Sequence, residues 1–115
     1  ALIAAHNKLD NLLVVIDANG LQAMGRTEEV LNTEPLKEKW EAFGWEAREI
    51  DGHSFEQIEK AFSAPVEQSG KPVVVIARTI KGKGVSFMEN NNLYHYKAPS
   101  KQEYQKALEE LEKNG

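Results

Sequence analysis

The chain has no cysteine among its 115 residues, which removes disulfides, thiolate metal sites and cysteine nucleophiles from consideration. It also lacks a long hydrophobic run. No run exceeds the five residues of Leu12 to Ile16, far short of a bilayer span. There is no basic excess: 14 Lys+Arg stand against 18 Asp+Glu, for a net charge of −4. A nucleic-acid or anionic-membrane binder would need a basic face, so neither partner is expected. No internal repeat or low-complexity segment is visible. The opening Ala1-Leu2-Ile3-Ala4-Ala5-His6 has no initiator Met and no signal-peptide pattern. It reads as the middle of a helix without a cap, and the expectation is a piece of a longer protein. What is present, 41% apolar and 28% charged residues, suits one globular domain over residues 1–115, acidic and expected in the cytoplasm.

Helix and strand patterns alternate along the chain. Leu12-Leu13-Val14-Val15-Ile16 is a continuous apolar run rich in β-branched residues, as in a strand buried on both faces of a parallel sheet. Residues 17–35 show no sustained period and read as a long loop. Pro35 opens a helix whose buried face is Leu36, Trp40 and Phe43, ended by Gly44. Trp45 to Ile50 is a short strand. Ser54 caps a third helix carrying Phe55, Ile58 and Phe62, which Pro65 ends or kinks. Val73 to Ala77 is the clearest strand, followed by a second long loop over 79–99. Ser100 and Glu103 form a capping box for a last helix with Tyr104, Ala107, Leu108 and Leu111 on one face. This order predicts an α/β fold, a three-layer sandwich with a mainly parallel sheet covered by helices. Three strands are few for such a sheet and suggest missing neighbours. Both long loops leave the carboxyl ends of strands, where such sheets bind ligands, so they should share one face.

Three segments carry candidate chemistry. In Asp17-Ala18-Asn19-Gly20-Leu21, a carboxylate, a side-chain amide and main-chain carbonyls offer hard oxygen ligands for Mg²⁺ or Ca²⁺. Spacing alone favours an ordinary Asn-Gly turn over a metal loop. Lys81-Gly82-Lys83-Gly84 exposes main-chain N–H groups beside two ammonium groups, which suits an anion as well as it suits a solvated basic loop. It lacks the order of a Walker motif. His95, in Leu93-Tyr94-His95-Tyr96-Lys97-Ala98-Pro99, can transfer protons or donate to a phosphate, or serve as a hydrogen-bonded surface group. His53 reads as a turn residue before a helix cap, and His6 has no visible partner. The Asp and Glu residues read mostly as solvated helix faces.

Taken together, these segments resemble transketolases. The resemblance runs through Leu9-Asp10-Asn11-Leu12, Asp17-Ala18-Asn19-Gly20-Leu21-Gln22, Trp40-Glu41-Ala42-Phe43-Gly44-Trp45, Asp51-Gly52-His53-Ser54 and Lys81-Gly82-Lys83-Gly84-Val85. Tyr94-His95 followed by Lys97-Ala98-Pro99 resembles the family's Trp-His-Gly-Lys-Ala-Pro loop. The likeness is greatest to the amino-terminal subunit of split, two-gene transketolases, and to the carboxyl-terminal portion of its cofactor domain. It covers nearly the whole chain in order. It implies the thiamine diphosphate-binding fold and transfer of a two-carbon ketol unit from a ketose phosphate to an aldose phosphate, as in the pentose phosphate pathway. The implied cofactors are thiamine diphosphate and Mg²⁺ (or Ca²⁺). Asn19 matches a residue that binds the metal through its side-chain oxygen, and Leu21 one that offers its main-chain carbonyl to the same ion. Lys81 matches a basic residue that reaches the cofactor. His95 matches the histidine that contacts the diphosphate near the reacting donor, and so a catalytic position.

The resemblance also implies a second transketolase domain or subunit that completes the site, in a homodimer or heterotetramer. The family's Gly-Asp-Gly, whose Asp is a metal ligand, occurs nowhere here, and its activating glutamate comes from another domain. The 115 residues alone are therefore expected to be inactive. Two further departures are Ala23-Met24-Gly25, where a larger apolar residue and Asp are usual, and Tyr96, in place of a Gly. The alternatives are a sister enzyme of the dihydroxyacetone synthase or 1-deoxyxylulose-5-phosphate synthase type, and a non-catalytic interaction module that retains the fold. The sister enzymes differ in their acceptor, whereas the module would show no metal-dependent affinity for thiamine diphosphate.

Overall fold

A computed structural model describes residues 1–63 and 70–114; Pro65 lies outside them. The chain forms two compact units, Ala1–Ala18 with Thr33–Thr79 and Asn19–Asn32 with Ile80–Gly115.

The first unit is a three-stranded parallel sheet between helices. Its strands are β1 (Leu13–Ala18), β4 (Glu46–Asp51) and β5 (Val73–Arg78), in the order β1-β5-β4. The helices are α1 (Leu2–His6), α3 (Leu36–Ala42) and α4 (Phe55–Ser63). As the apolar run predicts, β5 is a strand, and it is the central one. Val73, Val74, Val75 and Ile76 are all 0% exposed. Alternate side chains go to opposite faces. Val74 and Ile76 pack with Trp45, Trp40, Leu36, Ala4 and Ala5, under α1 and α3. Val73 and Val75 pack with Ala61 of α4 and with Leu13 and Ile50. These are the three layers anticipated from the sequence. Trp40 and Trp45 meet edge to face at 4.7 Å, and the Trp45 indole N–H donates to the carbonyl of Ala1.

Several burial expectations fail for one reason: strand order and helix rotation are non-local. β1 is an edge strand and not a doubly buried one, so Val15 is half exposed. On α4, Ile58 and Ala61 turn inward. Phe62, one residue on, is rotated by about 100° and is exposed, as is Phe55 in the first turn. Phe43 lies just past α3 and is also exposed. Pro35 is the N-cap of α3 and not its first residue, and Gly44 follows with φ +86°. Ser54 caps α4 as expected, its hydroxyl accepting from the Gln57 N–H. His53 sits in an Asx turn on Asp51, in keeping with its reading as a turn residue.

Parallel pairing places Ala18 beside Arg78, so the chain segments following β1 and β5 begin side by side. At that edge the Thr79 hydroxyl donates to the Asp17 carboxylate. Arg78 pairs with both Glu34 and Glu49, which raises the Arg78 pKa and holds Glu34 below the usual carboxylate range.

The second unit consists of the two segments that read as loops in the sequence, plus the last helix. Residues 17–35 are not a structureless loop. They contain a two-stranded hairpin, β2 (Leu21–Gln22) with β3 (Gly25–Arg26), and a single helical turn, α2 (Thr27–Val30). Two-residue strands are too short to leave a periodic signal, which is why the pattern missed them. The second segment holds a 3₁₀ turn at Asn92–His95 and then α5 (Lys101–Asn114). The Ser100/Glu103 capping box forms as predicted. The inward face of α5 is Glu103, Ala107 and Glu110, whereas Tyr104, Leu108 and Leu111 are partly exposed. No helix among the described residues is long and apolar enough to cross a membrane.

Candidate functional site

All four residues singled out from the sequence, Asn19, Leu21, Lys81 and His95, fall in the second unit. Asn19 directly follows β1. Its side-chain oxygen accepts the N–H of Leu21 at 2.9 Å, closing an Asx turn at the mouth of the hairpin. The turn that spacing favoured is therefore real, and it does not exclude a ligand role, because an amide oxygen keeps a second lone pair. Gly20 takes φ +74°, and its carbonyl accepts the N–H of Thr27 at 2.9 Å. The hairpin is thus tied back on itself.

Lys81 is half buried, and its carbonyl accepts the N–H of Asn90 at 2.9 Å. Gly82, at φ +73°, lies so close to Met88 that an added Cβ would sit 2.6 Å from the Met88 carbonyl oxygen. The turn can close only with glycine there. A Cβ on Gly84 would come within 3.1 Å of Leu111. The Gly84 N–H is already bonded to the Glu89 carboxylate at 3.1 Å. The glycines of Lys81-Gly82-Lys83-Gly84 therefore serve close packing, and the main-chain donor at Gly84 serves the chain's own carboxylate. An anion-binding role for this segment rests on the lysines.

His95 ends the 3₁₀ turn and is exposed. Its turn is anchored on both sides. Ahead of it, the Asn92 side-chain amide donates to the carbonyls of Gln22 at 2.9 Å and Ala23 at 3.2 Å. Around and after it, the Tyr94 hydroxyl and the Lys97 ammonium both donate to Oε1 of Glu103, at 2.7 and 2.9 Å, while the Ser100 N–H donates to Oε2 at 2.7 Å. These donors, Lys97 foremost, pull the Glu103 carboxyl down to about 2, and Glu103 in turn raises Lys97 and Tyr94. Tyr94 stacks edge to face on Phe87 at 5.7 Å. Glu110 is occupied in the same way, accepting from the main-chain N–H and the hydroxyl of Ser86. These two acids are thus partly exposed structural anchors on the inward face of α5. The one hint in the sequence was the capping-box spacing, which places Glu103 beside the loop but does not name Tyr94 or Lys97.

The hairpin carrying Leu21 and the turn carrying His95 are thus joined directly, and Lys81 is joined to the same segment through Asn90. Among the described residues no group of three or more His, Cys, Asp or Glu is placed to hold a metal ion. The Asn19 amide oxygen and the main-chain carbonyls of the hairpin are neutral donors, and the Asp17 carboxylate of the same segment accepts from the Thr79 hydroxyl. A cleft of about 620 Å³ lined by Glu41, Trp45, Glu46, Ala47 and Lys71 lies in the first unit, at the amino ends of β4 and β5, and involves none of the four residues.

Comparison with known proteins places this chain in a family. The profile described as the transketolase, thiamine diphosphate binding domain matches residues 1–113, and the chain belongs to that family. A relative named as one of the subunits of the apulose-4-phosphate transketolase of Actinobacillus succinogenes is 46% identical over 111 residues, covering 96% of this chain and 40% of that protein. The chain is 39% identical to the 6-deoxy-6-sulfo-D-fructose transketolase subunit of a Clostridium species, covering 100% of this chain and 42% of that one. The chain thus spans about two-fifths of the length of these relatives. The crystal structure of transketolase from Campylobacter jejuni superposes with a TM-score of 0.83 at 32% identity, over 96% of this chain and 17% of that one. The thiamine diphosphate-binding fold implied by the sequence resemblance is therefore the fold of this chain.

Proposed function

We propose that this chain forms the diphosphate-holding part of a transketolase that moves a ketol unit between sugar substrates, completed by a second subunit or domain. The observation that carries the reading is that Asn19, Leu21, Lys81 and His95 all belong to one compact unit, with their segments tied together by hydrogen bonds. The names of the split relatives, each a transketolase subunit, support a partner chain.

The chemistry of the donors fits the cofactor in part. Amide and carbonyl oxygens suit a hard divalent cation such as Mg²⁺, and Asn19 and Leu21 would supply two neutral ligands. The charged ligand has to come from outside these residues, which agrees with the absence of Gly-Asp-Gly. Lys81 would place an ammonium charge against the diphosphate, and His95 would donate a ring N–H. Thiamine diphosphate, when bound, supplies carbanion-stabilising chemistry that side chains lack. Within that division of labour this chain would neutralise and orient the diphosphate end, and His95 would give a proton to the donor sugar or take one from it.

The test is ketol transfer by the whole protein containing this chain, with and without its partner subunit. The expected result is activity only in the presence of both thiamine diphosphate and the partner. Metal-independent binding, or no binding of thiamine diphosphate by the assembled protein, would instead favour the interaction-module alternative.

A further inference from the structure

We propose that Asn92 is a positioning residue that holds His95 in register with the hairpin bearing Asn19 and Leu21, so that both ends of the diphosphate site form together. The proposal rests on the transketolase reading for its ligand, but its geometry stands on the second unit alone. The Asn92 side-chain nitrogen donates to one stretch of backbone, the carbonyls of Gln22 and Ala23. Because both partners are carbonyls, only the nitrogen can face them, and the orientation of the amide is fixed. Gln22 is itself tied down, its side chain donating to the Leu31 carbonyl at 2.9 Å. The clip therefore closes on a braced hairpin, one residue beyond Leu21.

On the other side, Asn92 opens a 3₁₀ turn that ends three residues later at His95. Asn91 caps that turn by accepting the Leu93 N–H at 3.1 Å. So short a capped turn leaves little freedom between the clipped residue and the imidazole. The Glu103 anchors secure the same loop to α5 and make no bond to the hairpin. Asn92 alone, among the side-chain hydrogen bonds described, couples the residues that would meet the metal to the residue that would meet the diphosphate. An asparagine suits this task because its two donors sit on one short arm.

The test is Asn92→Asp in the full chain with its partner subunit. The substitution is nearly isosteric but turns acceptor oxygens toward the Gln22 and Ala23 carbonyls. Two readouts are taken. In the absence of cofactor, hydrogen exchange should quicken in residues 20–26 and 92–97 together, while the first unit is unchanged. In calorimetric titration with thiamine diphosphate and Mg²⁺, affinity should fall by about tenfold, the scale of one lost hydrogen bond near charge. Asn92→Gln, which keeps both donors on a longer arm, should recover part of each. Unchanged exchange in the hairpin, or unchanged affinity beside a wild-type protein that binds, overturns the proposal. If the wild type itself fails to bind thiamine diphosphate, the functional reading falls, and the exchange experiment still decides whether the clip exists.

Discussion

The side-chain amide of Asn92 donates to the carbonyl of Gln22 at 2.9 Å, across 70 positions of sequence. With the Glu103 bonds to Tyr94 and Lys97, it turns an exposed loop into a braced support for His95.

The Glu103 anchor has a defined pH dependence. Its carboxyl is lowered in the folded chain from 4.5 to about 2, chiefly by the Lys97 ammonium and then by the Ser100 N–H. A depressed carboxylate contributes stability that is present above its unfolded value and is lost as pH falls through its folded one. Glu103→Gln should therefore lower the melting temperature at pH 7, and the difference from wild type should shrink as pH is brought from about 4.5 toward 2. Melting curves of both proteins across that range check it. A difference that grows on acidification contradicts the assignment.

Gly82 should be intolerant of a side chain. It combines φ +73° with a Met88 carbonyl 2.6 Å from any added Cβ. Gly82→Ala should cost about 2 kcal/mol or more in chemical denaturation. Lys83→Ala, next to it and exposed, should stay within about 0.5 kcal/mol of wild type.

The central and edge strands should differ sharply. Ile76→Ala opens a cavity at a side chain that is 0% exposed and should cost about 3–4 kcal/mol. Val15→Ala, at 50% exposure on the edge strand, should cost about 1 kcal/mol or less. Equal losses would mean that β1 is covered in the assembled protein.

Lys81→Ala and His95→Ala should leave the melting temperature nearly unchanged, since neither side chain belongs to the core. Each should weaken thiamine diphosphate binding by about tenfold or more, the scale of a lost hydrogen bond to a charged group. The Lys81 effect should be the more salt-sensitive, because an ammonium acts on phosphate as a point charge. Titrations at low and high salt separate the two.

How much of this was legible in the sequence depended on range. β5 was readable because a run of β-branched residues suits little else. The capping box at Ser100 and Glu103 was readable because its spacing is its mechanism. That β1 lies at an edge was not, since strand order is set by pairings 60 residues apart, Leu13 with Val73. Phe55 and Phe62 had helical spacing, yet the smaller Ala61 took the sheet-facing position. The segments holding Asn19, Leu21, Lys81 and His95 were singled out by residue type, and family resemblance gave them their roles, whereas the supports beneath them came only from the fold. Asn92 in a run of three asparagines carries no signal that one of them reaches back to Gln22. The glycines of Lys81-Gly82-Lys83-Gly84 invited a phosphate reading, and Met88, Leu111 and Glu89 account for them instead.

Under the proposed function, Asn19 and its hairpin would present neutral oxygens to a divalent ion that holds the cofactor diphosphate. The most direct measurement is calorimetric binding of thiamine diphosphate to the assembled protein, with and without Mg²⁺, for wild type and Asn19→Ala. Wild-type binding should require the metal, and Asn19→Ala should weaken it at least about tenfold, with the fold intact by circular dichroism. Binding that is indifferent both to Mg²⁺ and to Asn19→Ala would contradict it.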